Sequence, residues 1–251
     1  MAKKTKTNHK AMNIDCAIDL GTENVVVACK HLVFNTVTCV PMLDGGYDFP
    51  AAVYMESQNH CAVGRVAKDN SFLEQEKVAS HFKGKLGTSE MIDVNHHSFS
   101  PEQLTALVLK EAVVSAEQEL GKSVKNVILT VPAGFSTHAR AALIRAANMT
   151  GVNVVALVDE PIAAAISYLK SKEKTDKTSK RVRVVINAVS LETIAQITKL
   201  IQTYPVAHVQ LTQIQASRAH KLGLYNLMQA QNPVLIASFD LLPDDKIEAD
   251  E

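Results

Sequence analysis

The chain has 251 residues and a mass of 27.3 kDa, with 26 Lys and Arg balanced by 26 Asp and Glu. Zero formal charge argues against a dedicated nucleic-acid binder, which needs a basic face to release counterions. A hydrophobic share of 47% excludes disorder of the whole chain, and no apolar run reaches the roughly 20 residues of a membrane span.

Residues 1–11 are polar and basic and read as a flexible N-terminus. No apolar stretch of signal-peptide length follows them, so a cytoplasmic rather than a secreted protein is expected. Residues 14–20 alternate, with Ile14, Cys16, Ile18 and Leu20 on one face and Asp15, Ala17 and Asp19 on the other. That is the period of a strand. Gly21, Thr22 and Glu23 then turn the chain into a second run, 24–29, and a third, 32–40, ends at Pro41. Three such strands predict an antiparallel meander. Residues 43–99 read as irregular. Cys16, Cys29, Cys39 and Cys61 form no CxxC pair, and Cys16 and Cys29 fall in apolar runs as small buried thiols. A reducing compartment suits them.

A helix is expected from Ser100, with Pro101 at its first position, Gln103 completing a capping box and Gly121 as its stop. A strand over 126–131, a turn at Pro132, a helix over 136–150, a strand over 153–158 and an Ala-rich helix over 161–169 follow. The alternation predicts an α/β arrangement with a parallel extension. Residues 170–183 hold seven Lys or Arg and almost no apolar side chain, the composition of a solvated linker. Beyond it come a strand (183–188), a helix opening at Ser190 and barred by Pro205, and two strands (207–215 and 233–239). An acidic tail closes the chain.

The turn Asp19-Leu20-Gly21-Thr22-Glu23 places a carboxylate at a strand end beside a glycine bend. Such a hairpin can offer backbone N–H groups and a hydroxyl to phosphate oxygens, while the carboxylate holds a magnesium-bound water. Asp-x-Gly is by itself only a turn signature. Four further segments accompany it in order: Phe49-Pro50-Ala51-Ala52-Val53, Val63-Gly64-Arg65-Val66-Ala67-Lys68, Val127-Ile128-Leu129-Thr130-Val131-Pro132-Ala133 and Val158-Asp159-Glu160-Pro161-Ile162-Ala163-Ala164-Ala165. Together they resemble the first ATPase lobe of the DnaK-type heat-shock chaperones, in the actin-like (ribonuclease H-like) ATPase superfamily, over residues 12–171.

The resemblance implies ATP and Mg2+ as ligands and a role for each matching residue. Asp19 would hold magnesium through water, with Gly21 and Thr22 at the phosphates. Lys83 would orient the attacking water, with Lys85 as the other alignment. Glu160 would be the carboxylate of the hydrolytic magnesium. Pro132 and Arg140 would form the switch between nucleotide state and substrate domain. The chain departs from the family at Glu23, where a second threonine is usual, and in having no second glycine-rich phosphate hairpin after the Ala-rich helix. These departures predict ATP binding with weak or absent hydrolysis. Protein clients, or a partner chain completing the nucleotide site, are the partners implied.

Residues 181–239 resemble something else. Val184-Val185-Ile186-Asn187-Ala188-Val189-Ser190-Leu191-Glu192-Thr193, Ser217-Arg218-Ala219, Leu222-Gly223 and Ala230-Gln231-Asn232-Pro233-Val234 are similar to the C-terminal end of the decarboxylating precorrin methyltransferases. That likeness implies a β-α-β-β module from a Rossmann-like fold, a tetrapyrrole substrate and S-adenosylmethionine, with Asn187 and Glu192 able to line a pocket. No glycine-rich turn for that cofactor precedes Val184. The expected organisation is therefore a nucleotide-binding lobe with a mixed sheet over 12–170, a linker over 171–182, a methyltransferase-like segment over 183–240 and the tail over 241–251. A non-catalytic composite of two partial domains, serving as an interaction module, is the remaining reading. His96-His97, His60-Cys61, Ser136 and His138 carry no spacing that points to a metal or a triad.

Overall fold

The computed structural model describes residues 14–31, 36–42, 46–57, 60–175, 182–215, 217–222, 225–230 and 233–241. The chain divides into two compact units, one of Met1–Leu129 with His138–Leu157, the other of Thr130–Thr137 with Val158–Glu251.

In the first unit the expected meander forms. Strands β1 (Cys16–Leu20), β2 (Asn24–His31) and β3 (Thr36–Cys39) pair antiparallel, with Cys16 opposite Cys29 and Ala28 opposite Cys39. Cys16, Ile18 and Leu20 are buried with Val25, Val27 and Cys29, as the alternation requires. The stretch read as irregular holds several short elements. Strand β4 (Asp48–Pro50) pairs with β2. Strands β5 (Val53–Ser57) and β6 (His60–Val63) join β7 (Val78–Ala79) in a small sheet of order β6-β5-β7. Helix α1 (Arg65–Asn70) and a 3-10 turn, Gln75–Lys77, lie between them, and a second 3-10 turn, Phe82–Lys85, follows. Strands β8 (Ile92–Val94) and β9 (His97–Phe99) form a hairpin whose turn residues, Asn95 and His96, both have positive φ. Strands of two to five residues are too short to show a period of two, which is why the sequence hides them.

Helix α2 (Pro101–Leu120) begins as expected. Ser100 Oγ accepts from the Gln103 backbone N–H, the Gln103 side chain accepts from the Ser100 N–H, and Gly121 ends the helix at φ +63°. It buries Leu104, Val108, Leu109, Ala112 and Ala116 along one stripe. Strand β10 (Asn126–Val131) runs parallel to β1, with Ile18 opposite Leu129. Helix α3 (Thr137–Met149) precedes β11 (Asn153–Asp159), so the main sheet has the mixed order β11-β10-β1-β2-β3. Asp15 pins the foot of β1. Its carboxylate accepts from Lys122 Nζ at 2.7 Å and from the backbone N–H groups of Lys125 and Asn126 at 3.0 Å. Burial alone would raise the Asp15 pKa, but these donors outweigh it and hold the group below its ordinary value.

In the second unit, α4 (Glu160–Thr175) is followed by β12 (Val182–Ala188) and α5 (Leu191–Thr203). Ser190 Oγ caps α5 by accepting from the Thr193 N–H at 3.1 Å. Four strands follow, not two: β13 (Val206–Ile214), β14 (Ser217–Leu222), β15 (Tyr225–Ala230) and β16 (Val234–Leu241). Strands β12, β16 and β13 make an antiparallel sheet, and β14 and β15 a separate hairpin. The expected β-α-β-β module is thus β-α-β followed by a hairpin and a last strand. Its core joins Ile162 and Ala165 of α4 to Ile186, Ala188, Ile197, Leu200, Ala237 and Phe239. Helix α4 continues to Thr175, six residues past the expected end at 169, so the first part of the expected linker is helical. Lys and Glu are good helix formers and carry the helix on. Residues 176–181 of that segment, residues 1–11 and residues 242–251 of the acidic tail lie outside the described residues, while Leu241 closes β16. Among the described residues no helix is long and apolar enough to cross a membrane.

Candidate nucleotide site

The β1–β2 hairpin closes on a bond from the Gly21 N–H to the Asn24 carbonyl at 2.9 Å. A Cβ at position 21 would stand 2.4 Å from that carbonyl oxygen, so only glycine fits the turn. The side chains of Asp19, Thr22 and Glu23 emerge around it, all exposed. The next residue on the route out, Glu23, also fixes the following loop, its carbonyl accepting from the Ala51 N–H at 2.7 Å.

Beneath the turn lies Lys83, only 4% exposed, whose ammonium donates to the Leu20 carbonyl. A buried ammonium must find acceptors, and this one finds the backbone one residue before Gly21. Lys85, two positions on, pairs instead with Glu90 at the surface. The motif Phe82-Lys83-Gly84-Lys85-Leu86-Gly87 is held by its last glycine. Gly87 has φ +79°, and a Cβ there would come within 2.6 Å of the Ala139 nitrogen at the start of α3.

One contact had no precedent in the sequence. His81, in the left-handed region at φ +59°, brings Nε2 to 2.6 Å from Glu23 Oε1, while Ser80 Oγ stands 2.9 Å from Nδ1. Glu23 and His81 are 58 positions apart, which no local pattern reveals. Thr22, Glu23, Lys68, Ser71, Ser80 and His81 line a cleft of about 140 Å³ floored by Ala51, Ala52 and Val78. Its lining carries hydroxyls, one ammonium and an imidazole, which suit an anion. The Glu23 carboxylate, held by its contact with His81, opposes one.

Glu160 opens α4 in the second unit and is half-buried. The corner before it is fixed from α5, because the Asp159 N–H donates to Gln196 Oε1 at 3.0 Å. Pro132 is a turn former whose carbonyl accepts from the Phe135 N–H at 3.0 Å, and Arg140 is buried in α3. Asn187 and Glu192 are exposed, on β12 and in the first turn of α5. Among the described residues no three His, Cys, Asp or Glu side chains cluster as a metal cage. Magnesium in a nucleotide site needs only one or two carboxylates, with water and phosphate completing the shell, and Asp19 is an exposed carboxylate beside the Gly21 turn.

Residues 85–186 match the family model of the Hsp70 proteins. Over that stretch the chain is Hsp70-like. It is 32% identical over 180 residues to the chaperone protein DnaK of Methanothermobacter thermautotrophicus, covering 70% of this chain and 28% of the relative. DnaK of Thermosipho melanesiensis is 32% identical over 161 residues (64% and 27%), and DnaK of Thermotoga maritima 31% over 169 (67% and 27%). The chain therefore spans little more than a quarter of the length of the curated relatives it matches. A mixed α/β sheet agrees with a DnaK-type, actin-like lobe. The family match runs across the charged segment and stops at residue 186 inside β12, after which the chain enters α5. Neither the match nor these relatives support a methyltransferase reading of residues 181–239.

Proposed function

We propose that this protein holds ATP and Mg2+ on a DnaK-type nucleotide-binding lobe, weakly, and with weak or absent hydrolysis. The observation that carries the reading is Lys83, buried directly under the Gly21–Thr22 turn at the position the chaperone resemblance gives to the water-orienting lysine. Asp19 holds the magnesium through water, and Gly21 and Thr22 meet the phosphates. Glu160 serves the hydrolytic magnesium, and Pro132 and Arg140 couple nucleotide state to client binding. Residues 12–170 supply these groups, and residues 183–240 supply the apolar cover of α4.

Weakness follows from what stands after β12. Where the chaperone family has a glycine-rich hairpin giving further donors to the phosphates, this chain has a Ser190-capped helix. Losing two charge-assisted hydrogen bonds of about 1.5–3 kcal/mol each lowers affinity by roughly two decades or more. Glu23 adds a carboxylate beside the phosphates. Protein clients remain the partner class, and a second chain supplying the missing donors would restore tight binding. Thermal melting with and without MgATP tests the reading. At a nucleotide concentration of about ten times Kd, binding adds about 1.4 kcal/mol and a clear upward shift. No shift at millimolar MgATP, with a shift for S-adenosylmethionine, would overturn it in favour of the methyltransferase reading.

A further inference from the structure

Cys16 and Cys29 face each other across β1 and β2 in the buried layer of the main sheet, 2% and 0% exposed. The type of pairing between them can be read from two backbone bonds. The Val27 carbonyl accepts from the Val40 N–H at 2.8 Å, so the backbone groups of residues 27 and 29 point to β3. The Gly21 N–H donates to the Asn24 carbonyl, so residues 24, 26 and 28 are the ones that bond to β1. Alternation then makes Cys16–Cys29 a pair without mutual hydrogen bonds, the closer of the two antiparallel spacings, about 4.5 Å between Cα atoms. A disulfide spans about 4.4–6.8 Å. The two thiols therefore face each other inside the buried layer of the sheet. The neighbouring Cys16 thiol draws the Cys29 pKa below its ordinary value, and Cys29 together with burial pushes Cys16 well above.

We propose that Cys16 and Cys29 are a reversible redox pair, closing to a disulfide across the hairpin that carries the Asp19–Glu23 turn. The oxidant is a peroxide, small enough to reach a buried layer when the sheet breathes. The Cys29 sulfur attacks one peroxide oxygen, the O–O bond breaks, and a sulfenic acid and one water form. The Cys16 sulfur then attacks Cys29, its proton leaves with the departing hydroxide, and a second water is released. Two thiols lose two electrons, and one peroxide becomes two waters. A dithiol reductant reverses the step by thiol–disulfide exchange. The pair lies too deep to react as an isolated surface thiol and too close to avoid its neighbour.

The chain has four cysteines, and Cys39 and Cys61 are exposed. The full chain carrying C39S and C61S is treated with hydrogen peroxide and weighed intact. The expected result is a monomer lighter by two hydrogen atoms, restored by dithiothreitol, with a peptide map joining Cys16 to Cys29. Adding C29S should abolish the loss. Mapping the unmodified chain in parallel should give the same link, so the outcome does not depend on how the variant folds. Thiols that stay reduced, oxygen added without a cross-link, or a link only between two chains would each overturn the proposal.

Discussion

Gly87 and Gly84 lie three positions apart in one motif, and their surroundings predict opposite outcomes for the same substitution. At Gly87 an added methyl would meet the Ala139 nitrogen at 2.6 Å, the His138 carbonyl carbon at 2.7 Å and the Ala139 Cα at 2.9 Å. All three are backbone atoms of the first turn of α3, so no side-chain rotation relieves the clash. The φ of +79° adds a left-handed conformation costing an L-residue about 1–2 kcal/mol. Overpacking costs about 1–3 kcal/mol, so Gly87→Ala should lose about 2–5 kcal/mol. Gly84 has nothing within 4 Å and no left-handed φ, so Gly84→Ala should be neutral or gain about 0.4–1 kcal/mol through the unfolded chain. The protein has no Trp, so urea unfolding is best followed by circular dichroism. Gly87→Ala within 0.5 kcal/mol of the parent would refute the packing of the Lys83 segment onto α3.

Three further outcomes follow. Asp15 has a native pKa below its unfolded value, so its contribution is complete above about pH 4 and drains as pH falls through the lowered native value. Asp15→Asn should cost about 1.5–3 kcal/mol at pH 7 and flatten the acid limb of a pH–stability curve; an unchanged limb would refute that role. Glu23→Thr removes an exposed carboxylate from the cleft and should tighten MgATP binding by about two- to fivefold, read by calorimetric titration, whereas weaker binding would contradict the electrostatics. Ser190→Ala removes the α5 cap and should cost about 1 kcal/mol, measured by urea unfolding of the whole chain.

How far the sequence could be read depended on how locally each feature is encoded. The β1–β3 meander was legible because Cys16, Ile18 and Leu20 alternate with polar neighbours, and α2 because Ser100, Gln103 and Gly121 mark both ends. Strands β5 to β9 are too brief to show periodicity, and Ser217–Leu222 has no clean alternation of polar and apolar residues. The extension of α4 was masked by charge, since a Lys- and Glu-rich run reads as solvated whether or not it is helical. Lys83 and Lys85 differ in burial, which spacing cannot supply. The Glu23–His81 contact depends on a left-handed His81 and on a fold that joins distant segments.

The most direct test of the account is where MgATP protects the backbone from hydrogen exchange. Saturating nucleotide should slow exchange at residues 19–24 and 80–86, around the Gly21 turn and the Lys83 segment, and Asp19→Asn should abolish that protection. Protection confined to other segments, or none while the chain remains folded, would contradict it.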